Sequence, residues 1–300
     1  VLDFADAPTA APTAAPSASP TMAPTPSPTL CLSDDVALGA DCELFAAEHT
    51  AACAACTTEP VACDAPHTVH TIDCNCTDVQ VLTSTTALDA AFDGNLDHSC
   101  FVVQDVYDDE WEPPATAAFA EKDFALCITL RNARLDKWTI TRFAGTNYRD
   151  CVALEERSRV RGIVYDLGAQ RVRVAGCSTV GAGGVRLGAG NDVLQLLQAE
   201  FTDDVLVDTG AGADCVLAKR VFAPTADVRT GGGGDCAVAE FVDIDALRTQ
   251  GGMDAACVAA NSDVRVLNGG GGSAAITDTL FVDATVDTIV GFEQCDGGGC

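Results

Sequence analysis

The sequence predicts an all-β protein whose larger part is a single-stranded parallel β-helix of about ten coils. Glycine-rich corners recur at Gly188, Gly210 and Gly231, and in weaker form at Gly252 and Gly269. The aspartate position of this motif, which is a serine in the last copy, recurs in steps of 19 to 22 residues. Short runs rich in Val, Leu and Ala separate these corners. Each run is too short for a helix and has the length of a strand. A period near 20 with a glycine bend in each unit is typical of stacked β-coils.

The cysteines of the same region follow a similar spacing and support the same fold. Seven of them are separated by 21 to 38 residues, close to one per coil: Cys100, Cys127, Cys151, Cys177, Cys215, Cys236 and Cys257. Equivalent positions in stacked coils lie about 4.8 Å apart, within the Cα separation that a disulfide bridges. Cys215 and Cys236 each follow a motif aspartate, so we predict that they form one pair. The predicted β-helix spans residues 79–292.

Residues 1–30 are predicted to form an extended arm. Prolines at 8, 12, 16, 20 and 24 keep a four-residue period, which favours polyproline II and excludes a helix. A hydroxyl residue follows each proline, and these residues are the predicted O-glycosylation sites: Thr9, Thr13, Ser17, Thr21, Thr25, Ser27 and Thr29. The alternative is an unglycosylated flexible linker. The apolar tip of the arm, around Val1 and Phe4, is either a disordered end or a segment that docks into a neighbouring subunit by strand addition.

Residues 31–78 are predicted to form a small disulfide-stapled domain that caps the N-terminal end of the β-helix. The segment contains seven cysteines: Cys31, Cys42, Cys53, Cys56, Cys63, Cys74 and Cys76. Because seven is odd, at least one of them must pair outside the segment, which would tie the domain covalently to the rest of the chain. Cys295 and Cys300, in the predicted tail 293–300, close a small loop or link to a neighbour.

The composition indicates an extracellular protein. Forty-four acidic residues against 17 basic residues give a formal net charge of −27, which makes nucleic acid an unsuitable partner. Sixteen cysteines, a glycosylation sequon at Asn75 and the Pro/Thr/Ser tract indicate an oxidising compartment. No apolar run has the length that spans a bilayer. We therefore expect a mature secreted protein with covalent glycans and no membrane span.

The stretch GAGNDVLQL, residues 188–196, resembles one copy of the RTX family's glycine-rich nonapeptide, which forms a calcium β-roll. The resemblance implies weak calcium sites at Asp192, Asp214 and Asp235. The repeat departs from the family because one glycine-rich unit alternates with a half that lacks glycines. Calcium needs six to eight oxygen ligands, so half of the family's turn is missing. The alternative is that these aspartates are solvated corner residues and that no cofactor is required.

The proline-rich arm resembles the Pro-Thr/Ser repeats of secreted algal cell-surface glycoproteins. This resemblance covers about 22 residues and is compositional. It implies a context in a cell wall, a fibre or a surface appendage.

Catalysis has few candidate residues in this sequence. The acidic pairs Asp108 with Asp109 and Asp203 with Asp204 have the residue type that glycoside hydrolysis needs. However, the chain lacks the NTD, GHG and RIK elements of β-helix glycosidases, and His98 is the only histidine of the β-helix region. The arginines that would neutralise an acidic sugar alternate along strands, as in SRVRG and QRVRV, which is equally typical of a solvent face. We predict that the protein is not an enzyme.

These observations predict a structural subunit of an extracellular fibril, surface hair or wall layer. Its partners would be copies of itself, contacted through the ends of the β-helix, through the N-terminal arm, or through both. One alternative is a stalk-displayed β-helix that binds or cleaves carbohydrate. A second alternative is a calcium-binding β-roll adhesin.

Overall fold

The structure is a computed structural model that describes residues 79–92, 100–113, 126–142, 150–168, 170–201, 204–250, 254–258, 262–268, 279–282, 285–290 and 294–296. The predicted arm, the predicted cysteine-rich domain and most of the predicted tail lie outside the described residues. So do Asn75 and every predicted O-glycosylation site.

The described chain consists of parallel strands and one short helix. In chain order the elements are β1 (Val79–Leu82), α1 (Thr85–Phe92), β2 (Cys100–Gln104), β3 (Cys127–Arg131), β4 (Arg134–Arg142), β5 (Cys151–Glu155), β6 (Arg159–Tyr165), β7 (Arg171–Ala175), β8 (Thr179–Arg186), β9 (Val193–Leu197), β10 (Glu200–Phe201), β11 (Leu206–Asp208), β12 (Cys215–Lys219), β13 (Phe222–Gly232), β14 (Cys236–Glu240), β15 (Asp243–Gln250), β16 (Ala255–Val258), β17 (Asp263–Asn268), β18 (Thr279–Val282), β19 (Thr285–Val290) and β20 (Gln294–Asp296).

The strands form two sheets that face each other across one core. Sheet A has eleven strands in the order β1-β2-β3-β5-β7-β9-β12-β14-β16-β18-β20. Sheet B has nine strands in the order β19-β17-β15-β13-β10-β8-β6-β4, and β11 shares the position of β10 between β8 and β13. All of the described pairs are parallel, and from β3 onward the chain passes alternately from sheet A to sheet B. The predicted all-β parallel solenoid is confirmed.

The solenoid has about seven complete turns, from β3 to β18, where the repeat length predicted about ten. The difference lies in the first coils. In the described residues between β1 and β3, helix α1 follows β1, and only a single bridge from Tyr107 to Arg134 stands where a strand of sheet B would be. Ser84 starts the helix, because its Oγ accepts a 3.2 Å hydrogen bond from the backbone NH of Ala87.

Aromatic side chains close the core beside α1. Phe92 lies against Phe101 with ring centroids 5.6 Å apart, and Trp111 meets Trp138 edge to face at 5.5 Å. The indole NH of Trp111 donates to Asp89 Oδ1 at 2.9 Å, which fixes the ring against the helix. The end of the solenoid near β1 is therefore covered by packed side chains that the repeat pattern does not contain.

A left-handed backbone residue follows most strands of sheet A. Non-glycine residues with φ between 49° and 65° occupy this corner: Asp105, Asn132, Glu156, Arg157, Cys177, Gln198, Arg220 and Phe241. At this corner the chain turns out of sheet A, and the backbone NH groups donate to carbonyls of the next coil, for example Gln198 to Lys219 at 2.9 Å. Coil-to-coil bonding holds a backbone conformation that costs about 1–2 kcal/mol for an L-residue.

Candidate functional site

A row of carboxylate and amide side chains runs through the solenoid at the corner that enters sheet A. Each member directly precedes a sheet A strand, and its side-chain oxygen accepts a hydrogen bond from a backbone NH of the preceding coil. The row consists of Asp150, Gln170, Asp192, Asp214, Asp235 and Asp254, and the bonds are 2.5 to 3.1 Å long. We call this row the carboxylate ladder. Its bonds repeat once per coil, so it joins successive coils in addition to the sheet hydrogen bonds.

Burial keeps the central carboxyl groups of the ladder protonated at higher pH than usual. Asp192, Asp214 and Asp235 each have 0 % exposed surface. Loss of water around the charged form raises the pKa of Asp192 to about 8, that of Asp235 to about 7 and that of Asp214 to about 6. Neighbouring carboxyl groups in the row raise the pKa of Asp192 and of Asp235 further. At neutral pH part of the ladder is therefore uncharged.

The second oxygens of the ladder face the protein interior. The Thr230 hydroxyl donates a 2.7 Å hydrogen bond to Asp235 Oδ2. Asp192 Oδ2 is buried, and no hydrogen-bond partner for it occurs among the residues that the structure describes. A buried charge without a partner would be costly, and protonation of Asp192 removes that cost.

The glycine corners place the ladder by allowing successive coils to approach closely. Gly188, Gly210 and Gly231 are stacked, with φ of 83°, 94° and 79°. A Cβ atom on Gly210 would lie 1.6 Å from the carbonyl oxygen of Gly188, and one on Gly231 would lie 1.5 Å from that of Gly210. The predicted need for glycine at these bends thus has two causes, the left-handed φ and the contact with the coil before.

The expectation that Asp192, Asp214 and Asp235 are solvated corner residues is wrong, because the adjacent coils bury them completely. Each Oδ1 already accepts a backbone NH. Over the described ranges, no group of three or more His, Cys, Asp or Glu side chains is arranged to hold a metal ion. In the described structure the Oδ1 atoms of this row make hydrogen bonds between coils, whereas Oδ2 of Asp192 and Oδ2 of Asp214 have no hydrogen-bond partner among the described residues.

The candidate catalytic carboxylates lie apart from one another. Asp108 Oδ1 accepts the backbone NH of Glu110 in a local turn, and Asp109 lies 3.8 Å from Arg134 in an exposed ion pair. Asp204 is exposed, and Asp203 lies outside the described residues. Asp108 and Asp109 adjoin β4, whereas Asp204 lies between β10 and β11, and β10 is three strands away from β4 in sheet B.

The arginines of SRVRG and QRVRV take the alternation that the sequence predicted. Val160, Val172 and Val174 are buried in the core, while the arginines point away from it. Arg173 contacts Glu155 at 2.8 Å and Arg159 contacts Asp136 at 3.4 Å. Arg157 and Arg161 are exposed, and Arg171 is half-buried.

A shallow groove of about 300 Å³ crosses the outer face of sheet B. Lys137, Arg159, Arg161 and Asp136 line it, and Thr179, Gly181 and Ala182 are among its other lining residues. Three basic side chains surround Gly181 and Ala182, and two of them are in ion pairs, Arg159 with Asp136 and Lys137 with Glu110. Within the described ranges, no helix has the length and hydropathy to cross a bilayer.

The cysteines of sheet A are aligned by the strand register. Cys100 is opposite Cys127, Cys127 is opposite Cys151, and Cys215 is opposite Cys236. Cys257 is opposite Val238, two places further along, as its spacing predicted.

Comparison of the chain with protein-family models, with curated proteins and with solved structures finds no match.

Proposed function

We propose that the protein is a structural subunit of an extracellular fibril, surface hair or wall layer. The observation that carries the proposal is the carboxylate ladder. Its acidic residues, the ones that the sequence offered for metal binding, are buried and are used in coil-to-coil hydrogen bonds. A solenoid braced internally in this way suits a load-bearing rod. The net charge of −27 keeps such a rod soluble until it assembles.

The two ends of the solenoid support a head-to-tail contact between copies. Helix α1 and the aromatic residues around Trp111 cover the core near β1. This cover leaves the edge strands of the sheets, β1 and β4, for contacts at that end. The N-terminal arm, residues 1–30, would supply a second contact with a neighbour. A contact between unlike surfaces generates a filament when its rotation does not close into a ring.

The extracellular location rests on covalent features of the sequence. The sixteen cysteines, the sequon at Asn75 and the hydroxyl residues of the arm fit an oxidising, glycan-bearing environment. We propose that copies of the chain and its glycans are the partners in the assembled layer.

Electron microscopy of the native material, with and without EDTA, tests the structural role. Filaments that persist in EDTA would support it. Single rods at every concentration would contradict self-assembly. Filaments or rods that unfold on chelation would favour the calcium-binding β-roll adhesin, with Asp192, Asp214 and Asp235 as the first residues to change.

A second candidate function, binding of an acidic carbohydrate, is favoured by the basic groove on sheet B. Its three basic side chains surround Gly181 and Ala182, where a sugar ring could contact the sheet, and Lys137 and Arg159 also pair with the acidic residues Glu110 and Asp136. Calorimetry with uronate oligosaccharides tests this function. Arg161→Ala should weaken binding at least tenfold. The matched control is Arg265→Ala, which changes an exposed arginine paired with Asp245 on another strand of the same sheet.

A further inference from the structure

The outer face of sheet A is buried, although its side chains point away from the core. In each strand alternate residues face opposite sides of the sheet. Val172, Leu194, Val216 and Ala237 belong to the core cluster between the sheets. Their neighbours on the other face, which include Val193, Leu217 and Val238, are also buried but are not part of that cluster. We call this second face the outer face of sheet A.

Polar side chains on the outer face are also shielded from solvent. Gln195 is fully buried on it. Lys219 and Glu240 form an ion pair at 3.5 Å with side chains only 8 % and 2 % exposed. The comparable pair on the outer face of sheet B, Arg265 with Asp245, has side chains 43 % and 47 % exposed. A sheet face open to water would leave a lysine pair equally accessible.

The main contacts of the sheet A strands with other described elements are those with their sheet neighbours, together with that of α1 with β1. None of these contacts places a described strand or helix on the outer face. The cover also has a boundary, because Val81 in the edge strand β1 is 55 % exposed, whereas Val102 opposite it is buried. Among the side chains that the structure describes, the buried residues of this face run from β2 to β16. The burial is weaker at β7, where Arg171 and Arg173 are half-buried, and at the pair Arg131 with Glu155, whose side chains are 33 % and 20 % exposed.

The sequence of the strands agrees with burial on both faces. CFVVQ, CITLR, CVALE and CVLAK are nearly continuous apolar runs, which is typical of strands covered on both sides. The strands of sheet B, such as RVRGIVY and DVRVLN, alternate polar and apolar residues.

The six cysteines of sheet A stand on this outer face. Cys100, Cys127 and Cys151 form a cluster of their own, separate from the core, and Val79 at the start of the described chain contacts it. The structure leaves no free thiol among the seven cysteines whose side chains it describes. Because each disulfide joins two cysteines, these seven cysteines cannot all pair with one another. At least one partner comes from residues 31–76 or from Cys295 and Cys300.

We propose that the cysteine-rich segment 31–76 of this chain lies across the outer face of sheet A and is fastened to it by disulfides. The segment contributes seven cysteines, against two in the C-terminal tail. It ends just before Val79, which enters the structure beside the first cysteines of the face. The segment would thus form a second layer on the solenoid, and not the end cap that the sequence predicted.

Each bond joins the Sγ atom of one segment cysteine to the Sγ atom of one sheet A cysteine. Both thiols lose their protons, and two electrons pass to a disulfide-bearing oxidant, which is reduced to a dithiol. Thiol–disulfide exchange of this kind occurs in oxidising compartments.

Disulfide mapping of the intact, unreduced protein tests the proposal. Proteolysis followed by mass spectrometry should give linked peptides that join a cysteine of 31–76 to one of Cys100, Cys127, Cys151, Cys215, Cys236 or Cys257. Peptides that link the sheet A cysteines only to each other, to Cys295 or Cys300, or to a second copy of the chain would overturn it. Dimers on a non-reducing gel would identify the second copy as the occupant.

Amine labelling of the same full-length protein gives a readout that does not depend on mapping. Lys219 should react at least tenfold more slowly than Lys137, whose side chain is 41 % exposed on sheet B. After reduction under otherwise native conditions, Lys219 should become more reactive, while Lys137 should not change. Equal labelling of the two lysines in the oxidised protein would show that the outer face is bare.

Discussion

The backbone NH of Asp214 donates a 3.0 Å hydrogen bond to Oδ1 of Asp235 in the following coil. Asp214 in turn accepts the NH of Asp192 at 2.9 Å through its own Oδ1. The motif aspartate therefore has two structural roles, as an acceptor for one coil and as a donor to the next. The corner aspartates are therefore buried between coils and are not solvated.

Stability should fall as the pH rises from 5 to 8. The pKa of Asp192 is about 8 in the folded state, against 3.8 in an unfolded chain. The folded protein keeps its proton while the unfolded chain ionises, so the stabilisation is complete below pH 4 and is lost as pH rises through the folded pKa. A loss on the order of a few kcal/mol is expected from the ladder. Urea titrations at pH 5, 6, 7 and 8 measure it.

Asp192→Asn supplies the matched variant for this pH dependence. The amide oxygen still accepts the backbone NH of Gln170, but the side chain no longer ionises. The variant should show a flatter dependence and should be at least as stable as the parent at pH 8. Asp204→Asn, at an exposed position, should leave the slope unchanged. An unaltered slope in Asp192→Asn would contradict the assignment.

Removal of a ladder carboxyl should cost about 2–4 kcal/mol, because buried donors lose their acceptor. Asp235→Ala leaves both the backbone NH of Asp214 and the Thr230 hydroxyl without their partner. Asp235→Asn retains an acceptor and should lose much less. Thermal unfolding at pH 6 compares the two variants. An alanine variant as stable as the asparagine variant would show that the ladder bonds do not stabilise the fold.

Gly210→Ala should abolish folding or cost at least about 3 kcal/mol, since it combines a left-handed φ with a backbone clash. The added Cβ would lie 1.6 Å from the Gly188 oxygen. Gly181→Ala is the control, because its Cβ would lie 3.5 Å from the nearest atom, an ordinary contact. Circular dichroism and urea unfolding measure both. Similar stability of the two variants would be incompatible with the stacked glycine corner.

Phe241→Gly should be more stable than Phe241→Ala by up to about 1 kcal/mol. Phe241 has φ of 53° and is 48 % exposed, so its ring contributes little packing. Both variants remove the ring, and only glycine adopts this φ without strain. The difference between the two variants in free energy of unfolding measures the cost of the left-handed φ at position 241. The opposite order would mean that coil-to-coil bonding has already relaxed the strain at this position.

The repeat pattern predicted the architecture because the glycine positions and the lengths of the apolar runs both follow from the backbone geometry of a coil. A glycine corner, with an aspartate position that recurs every 19 to 22 residues, and short apolar runs between corners lead to stacked parallel strands, and the structure has them. The register of Cys215 with Cys236, and the two-place displacement of Cys257, were also readable from spacing. Residues 79–126 depart from the repeat because Ser84 caps a helix there. That signal was present in the sequence but was outweighed by the coil period.

The environment of the aspartates could not be read from the motif. Whether a corner residue is solvated depends on how closely the next coil approaches, and Asp192 is buried only because Gly188 and Gly210 allow that contact. The burial of the outer face of sheet A does have a signal in the sequence, because strands such as CVLAK and CAVAE are nearly continuous apolar runs.

The sequence by itself determined the repeating unit, the parallel stacking and the line of cysteines, since these follow from local backbone preference and from spacing. Only the tertiary structure decided that the motif aspartates form a buried, partly protonated ladder and that the two sheets differ, one bare and one covered on its outer face. Burial is the physical reason, because it arises between segments distant in sequence and sets both the charge of a carboxyl group and the exposure of a sheet.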